Sequence, residues 1–127
     1  MSTATLFSII ESPMHPDFSS VYNRAKIQEI KFSSMRKAIS KLKKQQPDYV
    51  VAEFFYGYGN NYAGVNISNL DVFLYSLQRY APQARVIVMV DKSEQQYVDK
   101  LQELFSLHAV LQHPVSGALI EKVLNDS

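Results

Sequence analysis

Four side chains capable of acid–base or metal chemistry stand where apolar runs end. Glu11 follows Ile9-Ile10, and Glu53 follows Tyr49-Val50-Val51-Ala52. Asp91 follows Arg85-Val86-Ile87-Val88-Met89-Val90, and His113 follows Ala109-Val110-Leu111-Gln112. Carboxylate oxygens and imidazole nitrogens suit divalent cations. A carboxylate beside a histidine favours the charged imidazolium, so a Glu53–His113 pair is one reading and a solvated loop histidine before Pro114 is the other. The spacing of the four residues carries no metal-site signature by itself. Other chemistries are excluded outright. With no cysteine, the chain has no disulfide, thiolate metal site or cysteine nucleophile. Of its four glycines, Gly57, Gly59 and Gly64 fall in one segment, so no Gly-rich phosphate loop exists. There is no Gly-x-Ser-x-Gly nucleophile elbow.

The elements that position these residues follow from periodicity. Residues 4–10 read as a buried strand, broken by Pro13 and Pro16. Phe18, Val21 and Tyr22 predict a short helix over 18–26, and the alternation of 29–32 predicts a strand. Ser33 and Ser34 offer a cap for a helix with Met35, Ala38, Ile39 and Leu42 inward. Lys37, Lys41 and Lys44 lie on another face, expected in solvent. Residues 49–54 form the next strand. Ser68 is expected to cap a helix carrying Leu70, Phe73, Leu74 and Leu77, closed by Pro82. Residues 85–90 are apolar and β-branched, as a strand covered on both faces requires. Ser93 with Gln96 reads as a capping box for a helix burying Tyr97, Val98, Leu101, Leu104 and Phe105. Residues 109–111 make a short strand and 116–124 a last helix, with Leu119, Ile120, Val123 and Leu124 inward. Five strands alternating with five helices imply a parallel sheet covered on both faces. At this length the expected order is 2-1-3-4-5, with any site at the carboxyl ends of the strands.

Composition bounds the rest. The chain has 127 residues, 46% hydrophobic and 20% charged, which predicts one soluble domain over 1–127 rather than a disordered chain. No apolar run reaches membrane-spanning length and the N-terminus lacks a charged-then-apolar signal pattern, so the expectation is a cytoplasmic protein. The net charge of +1 gives no global field for nucleic acid or membrane. Residues 24–44 nonetheless hold eight basic side chains against Glu29 alone, a local +7. That run reads as a solvated face or as a surface for an acidic partner.

Three stretches resemble the receiver domain of response regulators. They are Lys37 through Glu53, with its Ala-led helix, Pro47-Asp48 and apolar strand; Pro82 to Val90; and His113-Pro114. The resemblance implies a flavodoxin-like (CheY-like) three-layer sandwich of order 2-1-3-4-5. It places Glu53 at the phosphoacceptor position, Glu11 at an acid pair for Mg²⁺, Val90 at a Ser/Thr and His113 at the Lys of Lys-Pro. Val110 aligns near an aromatic switch residue. The sequence departs at each part, so the resemblance implies a degenerate pseudo-receiver that is not phosphorylated in the usual way. On this reading it is not an enzyme and carries no cofactor, Mg²⁺ binding not being expected. Glu53 then either holds a fixed carboxylate where a phosphoryl group would sit, or is a polar residue left at a strand end.

The implied role is a stand-alone signalling module acting through protein contacts in a two-component-type pathway. Its partner is a histidine kinase, an effector or a second copy of the chain, with neither membrane nor nucleic acid expected. Two alternatives stay open: a working phosphoacceptor with an atypical site, and a small metal-binding or enzyme domain built on the strand-end acids. The segment after Glu53 is longer than the family's. It carries Tyr56, Tyr58 and Tyr62 between glycines and asparagines. Tyrosine offers large contact area at low entropic cost, so this loop is a candidate interaction surface; the alternative is a set of rings covering the mouth of the site.

Overall fold

The structure, a computed structural model, describes residues 4–10, 17–56 and 70–125. The elements alternate: β1 (Ala4–Ile9), α1 (Ser19–Arg24), β2 (Ile27–Phe32), α2 (Met35–Leu42), β3 (Tyr49–Glu53), α3 (Asp71–Tyr80), β4 (Arg85–Val90), α4 (Gln95–Gln102), β5 (Ala109–Gln112) and α5 (Gly117–Asn125). A 3-10 turn, Lys92–Glu94, precedes α4. All five strands are parallel and lie in the order β2-β1-β3-β4-β5, as the alternation predicted.

Because side chains alternate along a strand, each strand feeds two cores. Phe7 and Ile9 of β1, Val50 and Ala52 of β3, and Val86, Val88 and Val90 of β4 face α2, α3 and α4. The helices answer with Ala38 and Leu42, Phe73, Leu74 and Leu77, and Val98 and Leu101, joined by Phe105 just past the end of α4. On the other face Leu6, Val51, Ile87, Met89 and Leu111 meet Val21 and Tyr22 of α1 and Ile120, Val123 and Leu124 of α5. Val50, Val51, Ile87, Val88 and Met89 are completely buried, as expected of central strands covered on both sides. Each such side chain contributes about 1.5–3 kcal/mol by leaving water, which is why these strands set the frame for the site.

Local chemistry sets the ends. The Ser34 hydroxyl accepts the Lys37 N–H at 3.3 Å and caps α2, as its position predicted. Helix α1 is shorter than its apolar spacing suggested, with Lys26 just past its end at φ 60°. That left-handed conformation is one L-residues adopt at a cost of about 1–2 kcal/mol. Strand β2 begins earlier than the alternating stretch, at Ile27, because it pairs along the whole of β1.

Three expectations are corrected. Leu104 is half exposed, because α4 ends at Gln102 and the helical period no longer applies beyond it. Lys41 is half-buried, whereas Lys37 and Lys44 are exposed. Ser93 does not cap α4. Asp91 accepts the Ser93 N–H instead, and the chain takes a 3-10 turn that delays the helix to Gln95. The expected Ser68 cap lies outside the described residues; Leu70 stands at the N-cap of α3. No helix among the described residues is long and apolar enough to cross a membrane.

Candidate site at the carboxyl ends of β3, β4 and β5

The parallel sheet brings three of the four strand-end groups together. A cavity of about 260 Å³ is lined by Glu53, Phe54, Phe55, Asp91, Ser93, Glu94 and His113. Glu53 ends β3 opposite Met89 of β4 and is only 4% exposed. The Phe54 N–H continues the pairing onto the Met89 carbonyl at 2.9 Å, although β3 itself stops one residue earlier than predicted. The His113 N–H donates to the Val90 carbonyl at 2.9 Å, which fixes the imidazole at the end of β5. The following His113–Pro114 peptide is cis, and Pro114 is exposed. Neither Glu53 nor His113 is without a partner. Glu11 lies outside the described residues, so its place relative to this cavity is not part of the geometry.

Asp91 is the organising residue on the β4 side. Its carboxylate accepts the Ser93 N–H at 3.0 Å and the Ser93 hydroxyl at 2.5 Å. These Ser93 hydrogen bonds, with the charge of His113 behind them, hold the Asp91 carboxyl below the usual carboxylate range. Asp91 is therefore an anion at neutral pH, and the Ser93 hydroxyl, the one hydroxyl among the described lining residues, is already committed to it. On the next turn Glu94 accepts the Tyr56 N–H at 3.2 Å, tying the exit of β3 to the turn before α4. The Tyr56 ring stacks on Tyr97 of α4, with centroids 3.6 Å apart and planes 18° apart. Tyr56 is thus at once 47% exposed and held in place. Tyr58 and Tyr62 lie outside the described residues.

Val90 does not line the cavity. It is fully buried and packs into the core on the side of α2, α3 and α4. Val110, half-buried on β5, packs against the same core.

Ser93 and Glu94 are site residues that sequence reasoning missed. The signal was the Asp91-Lys92-Ser93 run itself, since an aspartate two residues before a serine commonly accepts its backbone N–H in a tight turn. Among the described residues no three His, Asp or Glu side chains converge tightly enough to hold a metal ion. The described lining residues offer a concavity with three carboxylates, one imidazole and aromatic walls. Two unit charges 4 Å apart interact by about 1 kcal/mol in water and about 4 kcal/mol at an effective dielectric near 20. A doubly charged phosphoryl group would meet that repulsion from more than one carboxylate.

Comparison with solved structures agrees with the architecture. A response regulator receiver domain protein from Clostridium thermocellum superposes with a TM-score of 0.75 at 13% identity, over 97% of this chain and 92% of that one. The chemotaxis protein CheY4 of Vibrio cholerae superposes with a TM-score of 0.76 at 11% identity, over 98% of both chains. The signal receiver domain of a LuxO repressor protein from Vibrio parahaemolyticus gives 0.71 at 12% identity, over 98% of this chain and 88% of that one. The fold is therefore that of CheY-like receiver domains. No family model matches the sequence, and no curated protein matches it.

Proposed function

We propose that this chain is a receiver-like signalling module, one domain over 1–127, that works through protein contacts in a two-component-type pathway. Its strand-end pocket does not take a phosphoryl group by the usual route. The observation that carries this is the pocket around Glu53, walled by Asp91 and Glu94, with the Ser93 hydroxyl, the one hydroxyl among its described lining residues, bound to Asp91. The position where the resemblance expects a hydroxyl is Val90, turned into the core. The fold supports a signalling rather than an enzymatic role, and the module is read as cytoplasmic. Its partner is a kinase, an effector or a second copy of itself.

The test is intact-mass measurement after incubation with acetyl phosphate and Mg²⁺. The expected result is no added phosphoryl mass. A stoichiometric gain that disappears in Glu53→Gln would establish instead a working phosphoacceptor with an atypical site.

A further inference from the structure

A larger cavity, about 360 Å³, opens at the carboxyl ends of β1, β2 and β3, on the face covered by α1 and α5. Its volume falls at the small end of ligand pockets, about 300–1,000 Å³. Its place in the topology matters as much as its size. In the order β2-β1-β3-β4-β5 the chain reverses direction across the sheet at β1 and β3, and the crevice outside that reversal is where open α/β sheets bind ligands. Ser8 lines it, paired with Lys31 of β2 on one side and Val51 of β3 on the other. A central parallel strand is normally filled with large apolar side chains. A buried serine at this point leaves both room and a hydroxyl.

The polar wall is built around Ser19. Its backbone N–H donates to Asp17 at 2.9 Å and its hydroxyl to Glu29 at 2.6 Å, so one residue holds two carboxylates side by side. Hydrogen bonds from Ser19, with Lys31 nearby, push the Asp17 carboxyl down to about 2. Lys31 reaches Asp17 at 3.4 Å. Among the described lining residues, two carboxylates against one ammonium leave a net negative charge. Burial, reinforced by the charges of Glu29 and Asp17, pushes the Tyr22 hydroxyl up, so it remains protonated. Phe18, Tyr22 and Phe32 contribute aromatic surface beside the acids, and Val51 contributes an aliphatic one. A carboxylate pair beside aromatic faces is the environment that attracts an ammonium ion on an apolar body.

We propose that this cavity is a second, separate binding site that takes a small organic cation, an ammonium group carried on an aromatic or aliphatic body. The ammonium sits against Glu29 and Asp17 and the body lies over Val51 toward Tyr22. Among the described residues the site shares no lining residue with the Glu53 pocket, so it stands whatever that pocket does.

The test is titration of the full chain with phenethylamine, followed by amide NMR. 3-Phenylpropionate serves as the probe of inverted charge. The expected result is a saturable shift at Ser8, Tyr22 and Val51 with phenethylamine and none with phenylpropionate. Glu29→Gln should weaken binding on the order of tenfold, since a charge-assisted contact is lost. Asp99→Asn removes the same charge from the exposed surface of α4 and should leave binding unchanged. Ser8→Leu, which fills the cavity, should abolish binding; if that variant fails to fold, Glu29→Gln alone decides. Absence of a saturable shift, equal binding of both probes, or unchanged affinity in Glu29→Gln overturns the proposal.

Discussion

Replacing Val90 by threonine asks directly which way the end of β4 faces. If the residue bordered the strand-end cavity, a hydroxyl there would be wetted, and the substitution would be close to neutral. The structure places the side chain elsewhere. Val90 is fully buried and belongs to the core that Val88, Val98 and Leu101 share. Valine and threonine have nearly the same shape, so no cavity forms and no overpacking arises. What changes is that a hydroxyl enters an apolar environment, and a buried hydroxyl without a partner costs about 1–3 kcal/mol in protein mutational data. With a urea m-value of about 2 kcal/mol per molar, the midpoint should fall by roughly 0.5–1.5 M at unchanged slope. Urea unfolding followed by far-UV circular dichroism reads this, and acetyl phosphate with Mg²⁺ should still add no mass to the variant. An unchanged midpoint would refute the reasoning, because the new hydroxyl would then have to reach the cavity beside Glu53. A midpoint loss together with phosphoryl transfer would refute the functional half.

Further predictions concern the surface and the acid limb. Lys37→Ala and Lys44→Ala should each change stability by less than about 0.5 kcal/mol, since both side chains are exposed. Lys41→Ala should cost more than either in the same urea assay, because its stem is half covered; equal effects at all three would contradict that burial. Tyr56→Ala should keep the fold but cost about 0.5–1.5 kcal/mol, the worth of an aromatic pair beyond its area, and in Tyr97→Ala the same substitution should cost nothing further. If Tyr56→Ala also loses self-association in light scattering, the exposed part of the ring belongs to an interface. The folded-state carboxyl of Asp17 lies at about 2, below its ordinary 3.8. A depressed carboxylate contributes stability that is present above 3.8 and lost as pH falls toward 2. Thermal melting between those limits should therefore slope less steeply in Asp17→Asn than in the wild type, and parallel slopes would disprove the contribution.

Much of the frame was legible in the residues. The run Arg85 to Val90 reads as a central strand because alternation disappears when both faces are covered, and it occupies β4 residue for residue. The stripe Phe73, Leu74 and Leu77 could be assigned to the buried face of a helix from spacing alone, and the alternation of elements sufficed for a parallel sheet of order 2-1-3-4-5. These are short-range properties: each depends on how one segment meets water. The places where reading failed turn on where an element stops and which nearby side chain captures a backbone N–H first, which spacing alone does not reveal. Leu104 had the right spacing, but the helix had already ended. Ser93 had the composition of a cap, but the aspartate two residues earlier took its N–H first.

The sites belong to the tertiary structure in the same sense. Strand-end positions for Glu53, Asp91 and His113 followed from sequence, but their sharing of one cavity with Ser93 and Glu94 required β3, β4 and β5 to lie side by side. That Val90 points away from the cavity is a matter of strand parity measured against a particular sheet face, which has no meaning before the sheet exists. The cavity around Ser8 was invisible for a stronger reason. Ser8, Ser19, Glu29 and Val51 come from four different elements, and only parallel pairing of β1 with both β2 and β3 puts a small side chain beneath a pair of carboxylates. Local patterning determines which faces are buried; long-range pairing decides which side chains then face one another, and that second step creates the chemistry.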